Sequence, residues 1–368
     1  MNKIIVFIPD ISPNGICKIM ADYIKRMGCN KNIEILTLYI ENDMYFDNDI
    51  KIIEIGKTRS IIKRIIKETR ILKKGNYSLI HINGNYCSRI IECISAKIAK
   101  IDRIILHSHN DGVGNNKKIK VILHKLLKKS FDFLADEYIA CSNRAAKWMF
   151  SKKIYVGKQY KILNNGIELE KYKFCLKKRK EIRKKLNISS SAFVVGFIGR
   201  LSYQKNPMFL VKMFEECNKR KLDVVFMVIG NGEYETKMKE KLKELKHNKN
   251  FIFVGNVDNA FDYYNAMDLF VLPSKFEGLP IVSIEAQSNG LKSLFSENIT
   301  VECKITDLIT FLPINMENSV QEWVSKIEQE NKSTNENDRY QYAKIVKNHG
   351  YDIDNEAKEL KKIYYGDY

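Results

Sequence analysis

Two glutamates eight residues apart, Glu277 and Glu285, are the residues of this sequence best placed to do chemistry. An apolar run, Phe270 to Leu272, precedes them and is typical of a buried strand. Pro280 suits the first position of a helix, which the sequence predicts over Ile281 to Gln287. Glu277 is therefore expected in a loop facing the helix N-terminus, where free N–H groups can bind an anionic ligand, and Glu285 is expected within the helix. The alternative is an ordinary solvated loop and a surface helix residue, which the apolar flanks disfavour.

Two cations follow another predicted strand, Phe193 to Ile198. Arg200 offers a forked donor and Lys205 a point charge, and both suit phosphate oxygens. Fixed cations of this kind can stabilise the negative charge that gathers on a phosphate leaving group, a task that otherwise needs a metal ion. The alternative is a pair of exposed surface cations.

In the first half of the chain, polar residues occur at two predicted strand ends. His107 and His109 follow the strand Arg103 to Leu106, and either could hydrogen-bond a polar ligand at this strand end. We favour His109, with a structural role for both histidines left open. Gly15 ends the loop after the first strand, where a glycine lets a ligand approach the backbone. His81 and His124 are isolated in the sequence and are interpreted as structural or surface residues.

Together, these segments resemble the family-four retaining glycosyltransferases. The resemblance rests on Glu-Gly-Leu-Pro and Glu-Ala around the two glutamates. Five further segments support it, in the family's order: His107-Ser-His-Asn110, Ala140-Cys-Ser142, Asn164-Asn-Gly-Ile167, Gly199-Arg-Leu-Ser-Tyr-Gln-Lys-Asn206 and Ile229-Gly-Asn-Gly-Glu233. They span roughly residues 100 to 300, and within the family the sequence is similar to bacterial enzymes of capsular and exopolysaccharide synthesis.

The resemblance implies the GT-B fold, an α/β architecture of two Rossmann-like doubly wound domains with an interdomain cleft. It implies that Arg200 and Lys205 contact the donor diphosphate, that Glu285 binds the ribose and that Glu277 binds donor-sugar hydroxyls. It also implies a catalytic role for His109. The backbone of Gly278, Leu279, Pro280 and Ile281 would help to hold the phosphate, and Asn256 would line the base. The family further implies front-side attack without a metal ion or other cofactor.

Alternating strands and helices occur in both halves of the chain, which predicts two parallel sheets wrapped by helices. Because 368 residues exceed the usual size of one core, two domains are expected. We expect an acceptor-binding domain over residues 1–170, a basic linker over 171–190 and a nucleotide-sugar-binding domain over 191–350. A C-terminal helix in 351–368 would cross back to the first domain.

The composition favours a cytoplasmic protein. No transmembrane helix or signal peptide is expected, because no long apolar run occurs and the N-terminus reads as a strand. The eight cysteines are scattered without a Cys-x-x-Cys pair, which disfavours a disulfide framework or a zinc site.

Charge divides the chain unevenly. Residues 1–186 carry 39 Lys and Arg against 18 Asp and Glu, whereas residues 187–368 carry 23 against 26. A basic half implies an anionic partner. The segment 59–74 has apolar pairs at helical spacing between cations, so it is expected either to lie on an anionic membrane surface, making the protein peripheral, or to be a solvated helix. Because no aromatic-interleaved basic motif occurs, no nucleic acid partner is expected.

The sequence therefore predicts a retaining glycosyltransferase that moves a sugar from a nucleotide-sugar donor, with UDP favoured. The acceptor would be a hydroxyl of a saccharide or of a lipid-diphosphate-linked acceptor in surface polysaccharide synthesis. Two alternatives remain open, a sugar-nucleotide 2-epimerase of the same fold and a non-catalytic polyanion-binding protein.

Overall fold

The computed structural model describes residues 3–12, 14–28, 30–56, 58–110, 112, 118–245, 248–332 and 337–366. The chain forms two compact units. The first comprises Met1–Gly166 and Ile353–Tyr368, and the second comprises Ile167–Asp352. Cys29 lies outside the described residues, and the other seven cysteines are free thiols. Among the helices of the described residues, none has both the length and the apolar character needed to cross a bilayer.

Each unit contains one fully parallel sheet whose strands are short apolar runs. The first sheet has seven strands: β1 Ile4–Ile8, β2 Ile33–Thr37, β3 Lys51–Glu54, β4 Leu79–Gly84, β5 Arg103–Ser108, β6 Glu137–Ala140 and β7 Lys161–Ile162. The second has six: β8 Phe193–Ile198, β9 Val224–Ile229, β10 Phe251–Gly255, β11 Leu269–Leu272, β12 Lys292–Ser296 and β13 Ile309–Leu312. Strands such as β8, β9 and β11 are buried along their whole length because helices cover both faces.

Helices connect successive strands in both units. They are α1 Gly15–Met27, α2 Ile61–Gly75, α3 Ile90–Ala99, α4 Lys118–Leu127, α5 Phe131–Leu134, α6 Asn143–Met149, α7 Lys152–Val156, α8 Leu169–Tyr172, α9 Leu176–Lys185, α10 Pro207–Lys219, α11 Glu235–Lys243, α12 Ala260–Tyr263, α13 Ile281–Ser288, α14 Ser319–Asn331, α15 Tyr342–Asn348 and α16 Ile353–Tyr365.

The strand order places a topological switch point in each sheet. The order is β3-β2-β1-β4-β5-β6-β7 in the first sheet and β10-β9-β8-β11-β12-β13 in the second. The chain therefore leaves β8 towards β9 on one side and returns to β11 on the other. Ligands of open parallel sheets bind at such points, outside the carboxyl ends of the strands.

Residues 171–190, expected as a linker, belong to the second unit and pack within it. Arg179 and Arg183 of α9 are buried, and they pair with the two carboxylate oxygens of Asp268 at 2.5 and 2.7 Å. The same guanidinium groups donate to backbone carbonyls, including those of Ala266 and Met267. Buried arginines bound in this way fix α9 to the unit, which a flexible linker would not allow.

The C-terminal helix α16 belongs to the first unit, where it packs against α1. Arg103, at the start of β5, donates to the backbone carbonyls of Ile363 and Tyr364 at 2.6 and 3.0 Å. Lys361 donates to the carbonyl of Met27 at the end of α1. These contacts satisfy backbone carbonyls at the C-termini of α16 and α1, and they fix the end of α16 to the first unit.

Candidate active site

Glycines bring the loops after β8 and β9 into direct contact. Gly230 has φ +112°, and a Cβ on it would lie 2.2 Å from the carbonyl oxygen of Gly199. A Cβ on Gly232 would lie 2.5 Å from the carbonyl oxygen of Leu201. These two glycines are therefore required for the packing of the turn, whether or not they also contact a ligand.

The structure brings together Lys205 and Glu277, the predicted residues of the β8 and β11 loops. Lys205 Nζ lies 2.7 Å from Glu277 Oε1, with the two side chains 16% and 9% exposed. The Gln204 amide donates to Glu277 Oε2 and to the Phe276 carbonyl, both at 3.1 Å. The pair thus lies at the switch point of the second sheet, and its low exposure strengthens the electrostatic interaction.

Two further hydrogen bonds hold these loops together. The Lys275 N–H donates to the Gln204 carbonyl at 2.8 Å, and the Asn206 amide donates to the Pro273 carbonyl at 3.2 Å. Asn206 has φ 54°, a left-handed conformation that asparagine tolerates better than most residues, and α10 begins directly after it. The backbone geometry therefore presents Lys205 towards the β11 loop.

Arg200 lies on the same β8 loop and is exposed. Within the part of the chain that the structure describes, its guanidinium has no ion-pair or hydrogen-bond partner. An exposed guanidinium on the same loop as the largely buried Lys205 can bind phosphate oxygens without first losing a protein partner.

Glu285 is buried, contrary to the alternative of a surface helix residue. Its two carboxylate oxygens accept hydrogen bonds from the hydroxyls of Tyr172 and Tyr264, at 2.7 and 2.6 Å. Burial raises the pKa of Tyr264 well above its ordinary value, and the Glu285 charge raises it further, so the hydroxyl stays a donor. A carboxylate has about four acceptor positions, so a role in binding ribose remains a prediction.

Replacing Tyr264 by phenylalanine is expected to destabilise the protein by about 1–3 kcal/mol, because a buried Glu285 oxygen loses its donor. Chemical denaturation measures this change. Tyr340→Phe, at an exposed tyrosine of the same unit, is the matched control and should have little effect. Equal stabilities of Tyr264→Phe and the native protein would show that the hydrogen bond contributes nothing.

The predicted phosphate-binding turn differs in one detail from its expected form. Pro280 is the N-cap of α13, and the helix begins at Ile281 rather than at Pro280. The Ser283 N–H bonds back to the Pro280 carbonyl. Gly278 and Leu279 are buried in the turn before it. The backbone of this turn still precedes a helix N-terminus, where unpaired N–H groups favour an anion.

Asn256 is exposed directly after β10. The strand order places β10 at the edge of the sheet, with β9 between it and β8. Asn256 therefore shares the carboxyl edge with the Lys205–Glu277 pair but lies apart from it.

In the first unit the rings of His81, His107 and His109 form a row. His109 is partly exposed, whereas the other two are buried. Its Nε2 lies 2.7 Å from Asn83 Oδ1, while the Asn83 amide donates to the Phe7 carbonyl. Asn83 Oδ1 is thus an acceptor, which places the His109 proton on Nε2 and leaves a lone pair on Nδ1. Burial lowers the pKa of His109 to about 3, so its ring is neutral at pH 7. The Nδ1 atom has no hydrogen-bond partner among the described residues, although the atom itself is buried.

The sequence suggested that His81 is isolated, but in the structure its ring has two hydrogen-bonding partners. Because β4 and β5 are neighbours, His81 Nε2 lies 3.1 Å from His107 Nδ1, and its Nδ1 lies 2.5 Å from the Tyr364 hydroxyl of α16. The His107 ring in turn packs on His109, with 3.9 Å between centroids. His107 is fully buried in the middle of this row, which favours His109 as the histidine available to a ligand.

The histidine row predicts a loss of stability in mild acid. Burial lowers the pKa of His81 from 6.5 to about 3, so the unfolded chain binds the proton first as the pH falls. The contribution of neutral His81 to the free energy of unfolding is therefore complete above pH 6.5 and is lost as the pH falls towards 3. About 2 kcal/mol of it is lost by pH 5. Chemical denaturation at pH 7 and at pH 5 measures this loss. The free energy of unfolding should differ less between the two pH values for His81→Phe than for the native protein. His349→Gln, at an exposed histidine, should leave the difference unchanged.

Gly15 is the first residue of α1 and is exposed. The preceding Asn14 is the N-cap, and its side-chain oxygen accepts from the Cys17 N–H at 3.0 Å. The Asn14 amide donates to Asp10 and Ser12. The side chain of Asn14 therefore has a local structural function, and a ligand contact at Gly15 would be through the backbone.

The fold is that of the GT-B glycosyltransferases, as expected from the sequence. A chain of Anabaena HepE in complex with UDP and glucose superposes with a TM-score of 0.79, covering 99% of both chains at 16% identity. A glycosyltransferase from Rickettsia africae superposes with a TM-score of 0.73, covering 99% of this chain and 97% of that one at 15% identity.

Residues 178–344, all within the second unit, match the family model for glycosyl transferases group 1. A galactosyltransferase of Escherichia coli, UDP-Gal:alpha-D-GlcNAc-diphosphoundecaprenol alpha-1,3-galactosyltransferase, is 28% identical over 64% of this chain and 62% of its own length. The capsular polysaccharide biosynthesis glycosyltransferase CapH of Staphylococcus aureus is 25% identical over 81% of this chain and 79% of its own. The resemblance to glycosyltransferases of bacterial surface polysaccharides is confirmed. The chain spans about three fifths of the length of the first two curated relatives that it matches.

Proposed function

We propose that the protein is a retaining glycosyltransferase that uses a nucleotide-sugar donor, with UDP as the nucleotide. The observation that carries the proposal is the Lys205–Glu277 pair at the switch point of the second sheet, beside the exposed Arg200. The UDP complex of HepE and the UDP-Gal donor named for the E. coli relative support the choice of UDP.

In this proposal Arg200 and Lys205 bind the donor diphosphate and stabilise the charge that gathers on it as the glycosidic bond to the sugar breaks. No metal ion or other cofactor is needed for that charge, so transfer should persist in the presence of EDTA. Glu277 accepts hydrogen bonds from donor-sugar hydroxyls, and its pairing with Lys205 fixes the carboxylate in one orientation. Glu285 of α13, whose carboxylate is oriented by two tyrosine hydroxyls, accepts hydrogen bonds from the ribose hydroxyls in this proposal.

For the first unit we propose that His109, which is partly exposed, accepts a hydrogen bond from a sugar hydroxyl at Nδ1, after a small movement that uncovers this buried atom. The acceptor would be a hydroxyl of a saccharide or of a lipid-diphosphate-linked saccharide in surface polysaccharide synthesis. The names of the relatives support this acceptor class. Such an acceptor lies in a membrane, so an anionic membrane surface is the proposed partner of the basic first unit.

A donor screen tests the proposal. The purified protein is incubated with a panel of UDP- and GDP-sugars, with and without undecaprenyl-diphosphate-linked saccharides, and released nucleotide is measured. Transfer predicts that UDP release depends on both donor and acceptor. Free UDP without an acceptor, together with C2 inversion of the donor sugar, would indicate an epimerase instead. Binding to heparin or RNA at physiological salt without donor binding would indicate a polyanion-binding protein.

A further inference from the structure

Helix α4 of the first unit turns its apolar row outwards. Ile119, Ile122, Leu123 and Leu126 are 80%, 59%, 45% and 69% exposed. Their spacing of three and four residues places them on one face of the helix. A surface helix of a globular domain ordinarily buries its apolar row against the core. In α4 the apolar row instead faces the solvent.

The contacts on the opposite side fix α4 in that orientation. His124 is buried, and its ring lies between those of Tyr86 and Trp148 at centroid distances of 5.4 and 4.4 Å. His124 Nε2 lies 2.9 Å from the Trp148 carbonyl, and Lys128 Nζ donates to the same carbonyl at 2.9 Å. The Tyr86 hydroxyl donates to the Lys120 carbonyl at 3.0 Å. Among the described residues the inward face is therefore polar and aromatic, and the row of large aliphatic side chains faces away from it.

Exposed lysines border the apolar row. At 100° per residue, Lys118 and Lys125 fall along one side of the row and Lys120 falls on the other, and Lys129 follows in the 3-10 turn after α4. All four are exposed. Phe133, which follows on α5, is 84% exposed. Across residues 118–134 the only acidic residue is Asp132, which accepts a hydrogen bond from the Ser151 hydroxyl.

We propose that α4, with Phe133, docks the first unit on the surface of an anionic phospholipid bilayer. An apolar row bordered by cations matches a bilayer surface, where aliphatic side chains enter the acyl boundary and lysines meet anionic headgroups. The proposal locates the membrane partner named above, and to that extent it rests on the proposed function. Vesicle binding itself requires neither donor nor transfer.

The segment 59–74, which the sequence favoured for the membrane, is a weaker candidate in the structure. On α2, Arg64 pairs with the buried Glu68 and Glu92, and Lys67 donates to the Ile55 carbonyl. These two cations are therefore engaged within the unit. Ile61 and Ile62 are exposed, so α2 serves as the comparison helix in the test.

Vesicle co-sedimentation of the full chain tests the proposal, with vesicles of phosphatidylcholine alone and with phosphatidylglycerol added. The native protein should bind only the anionic vesicles. The double variant Ile122→Ser/Leu126→Ser should bind them at least tenfold more weakly, since two large apolar side chains are lost from the interface. Lys125→Gln/Lys129→Gln should weaken binding and reduce its dependence on salt. A matched control in the second unit, Val301→Ser/Met316→Ser, replaces two equally exposed apolar side chains and should bind as the native protein does.

Three results would overturn the proposal: no binding of the native protein to anionic vesicles, equal binding to neutral ones, or a loss with Ile61→Ser/Ile62→Ser that exceeds the loss with the α4 variant. Concentration-dependent dimerisation that the α4 variant abolishes, without vesicle binding, would assign the row to a second copy of the chain. UDP binding is measured by thermal shift on the same samples. It distinguishes a failure of the membrane-docking proposal from a failure of the proposed glycosyltransferase function. Native UDP binding with no vesicle binding contradicts only the docking of α4.

Discussion

Replacing Lys205 by alanine is expected to lower the rate of sugar transfer by about 10²- to 10³-fold, the usual cost of removing one group that stabilises transition-state charge. In the proposed function Lys205 acts on the departing diphosphate, where negative charge increases during the reaction. The variant also leaves Glu277 without its cation in a poorly solvated position, so donor binding should weaken as well. Steady-state kinetics with the donor identified by the screen measures both effects.

Lys212→Ala is the matched control for Lys205→Ala, because Lys212 lies exposed on the next helix, α10. It should transfer sugar at the native rate. A double variant, Lys205→Ala/Glu277→Gln, should recover part of the lost donor binding, since the unpaired carboxylate charge is removed. Native activity of Lys205→Ala would exclude a direct role of this lysine in the reaction.

Replacing Glu277 by glutamine is expected to lower kcat by about 10²-fold while KM for the donor changes less. The substitution preserves the shape of the side chain but removes the charge that pairs with Lys205 and that accepts sugar hydroxyls most strongly. Hydrogen bonds that strengthen as the sugar becomes cationic act on kcat, whereas hydrogen bonds present in the bound donor act on KM as well.

Glu297→Gln provides the control for Glu277→Gln, because Glu297 is an exposed glutamate of the same unit. Its kinetics should match those of the native protein. An unchanged kcat for Glu277→Gln, or a change confined to KM, would limit Glu277 to holding the β8 and β11 loops together.

Much of the fold could be predicted where a strand is a continuous apolar run. β8, β9 and β11 begin and end where their apolar residues do, because both faces of the sheet are covered. β12 was missed because it contains serines. Ser293 is nevertheless buried, with its hydroxyl donating to the Leu291 carbonyl. A polar residue satisfied in this way leaves no apolar signal in the sequence.

The segment 171–190 was interpreted as a linker because it is basic and rich in serine at its end. Its arginines instead satisfy buried backbone carbonyls and Asp268, contacts made across more than 80 residues of sequence. Composition alone cannot separate a solvated cation from one that is buried with a partner. The sequence also predicts one long helix over residues 118–135, whereas the structure divides it into α4 and α5 at the 3-10 turn Lys128–Ser130.

For the candidate site, the sequence indicated the residue types but not their pairing. Lys205 and Glu277 were each predicted as donor contacts, yet their ion pair depends on the adjacency of β8 and β11, which follows from the strand order. Tyr172 and Tyr264 were not predicted at all, since they lie 113 and 21 residues from Glu285. The contact of His81 with His107 was missed for the same reason. Which strands are neighbours in a parallel sheet cannot be inferred from the spacing of residues along the chain.

A crystal structure of the protein with bound UDP-sugar tests the central claim most directly. The account predicts the diphosphate within hydrogen-bonding distance of the Arg200 guanidinium and Lys205 Nζ, with Glu277 on a sugar hydroxyl. Well-defined UDP bound elsewhere in the chain, with these three side chains unliganded, would contradict it.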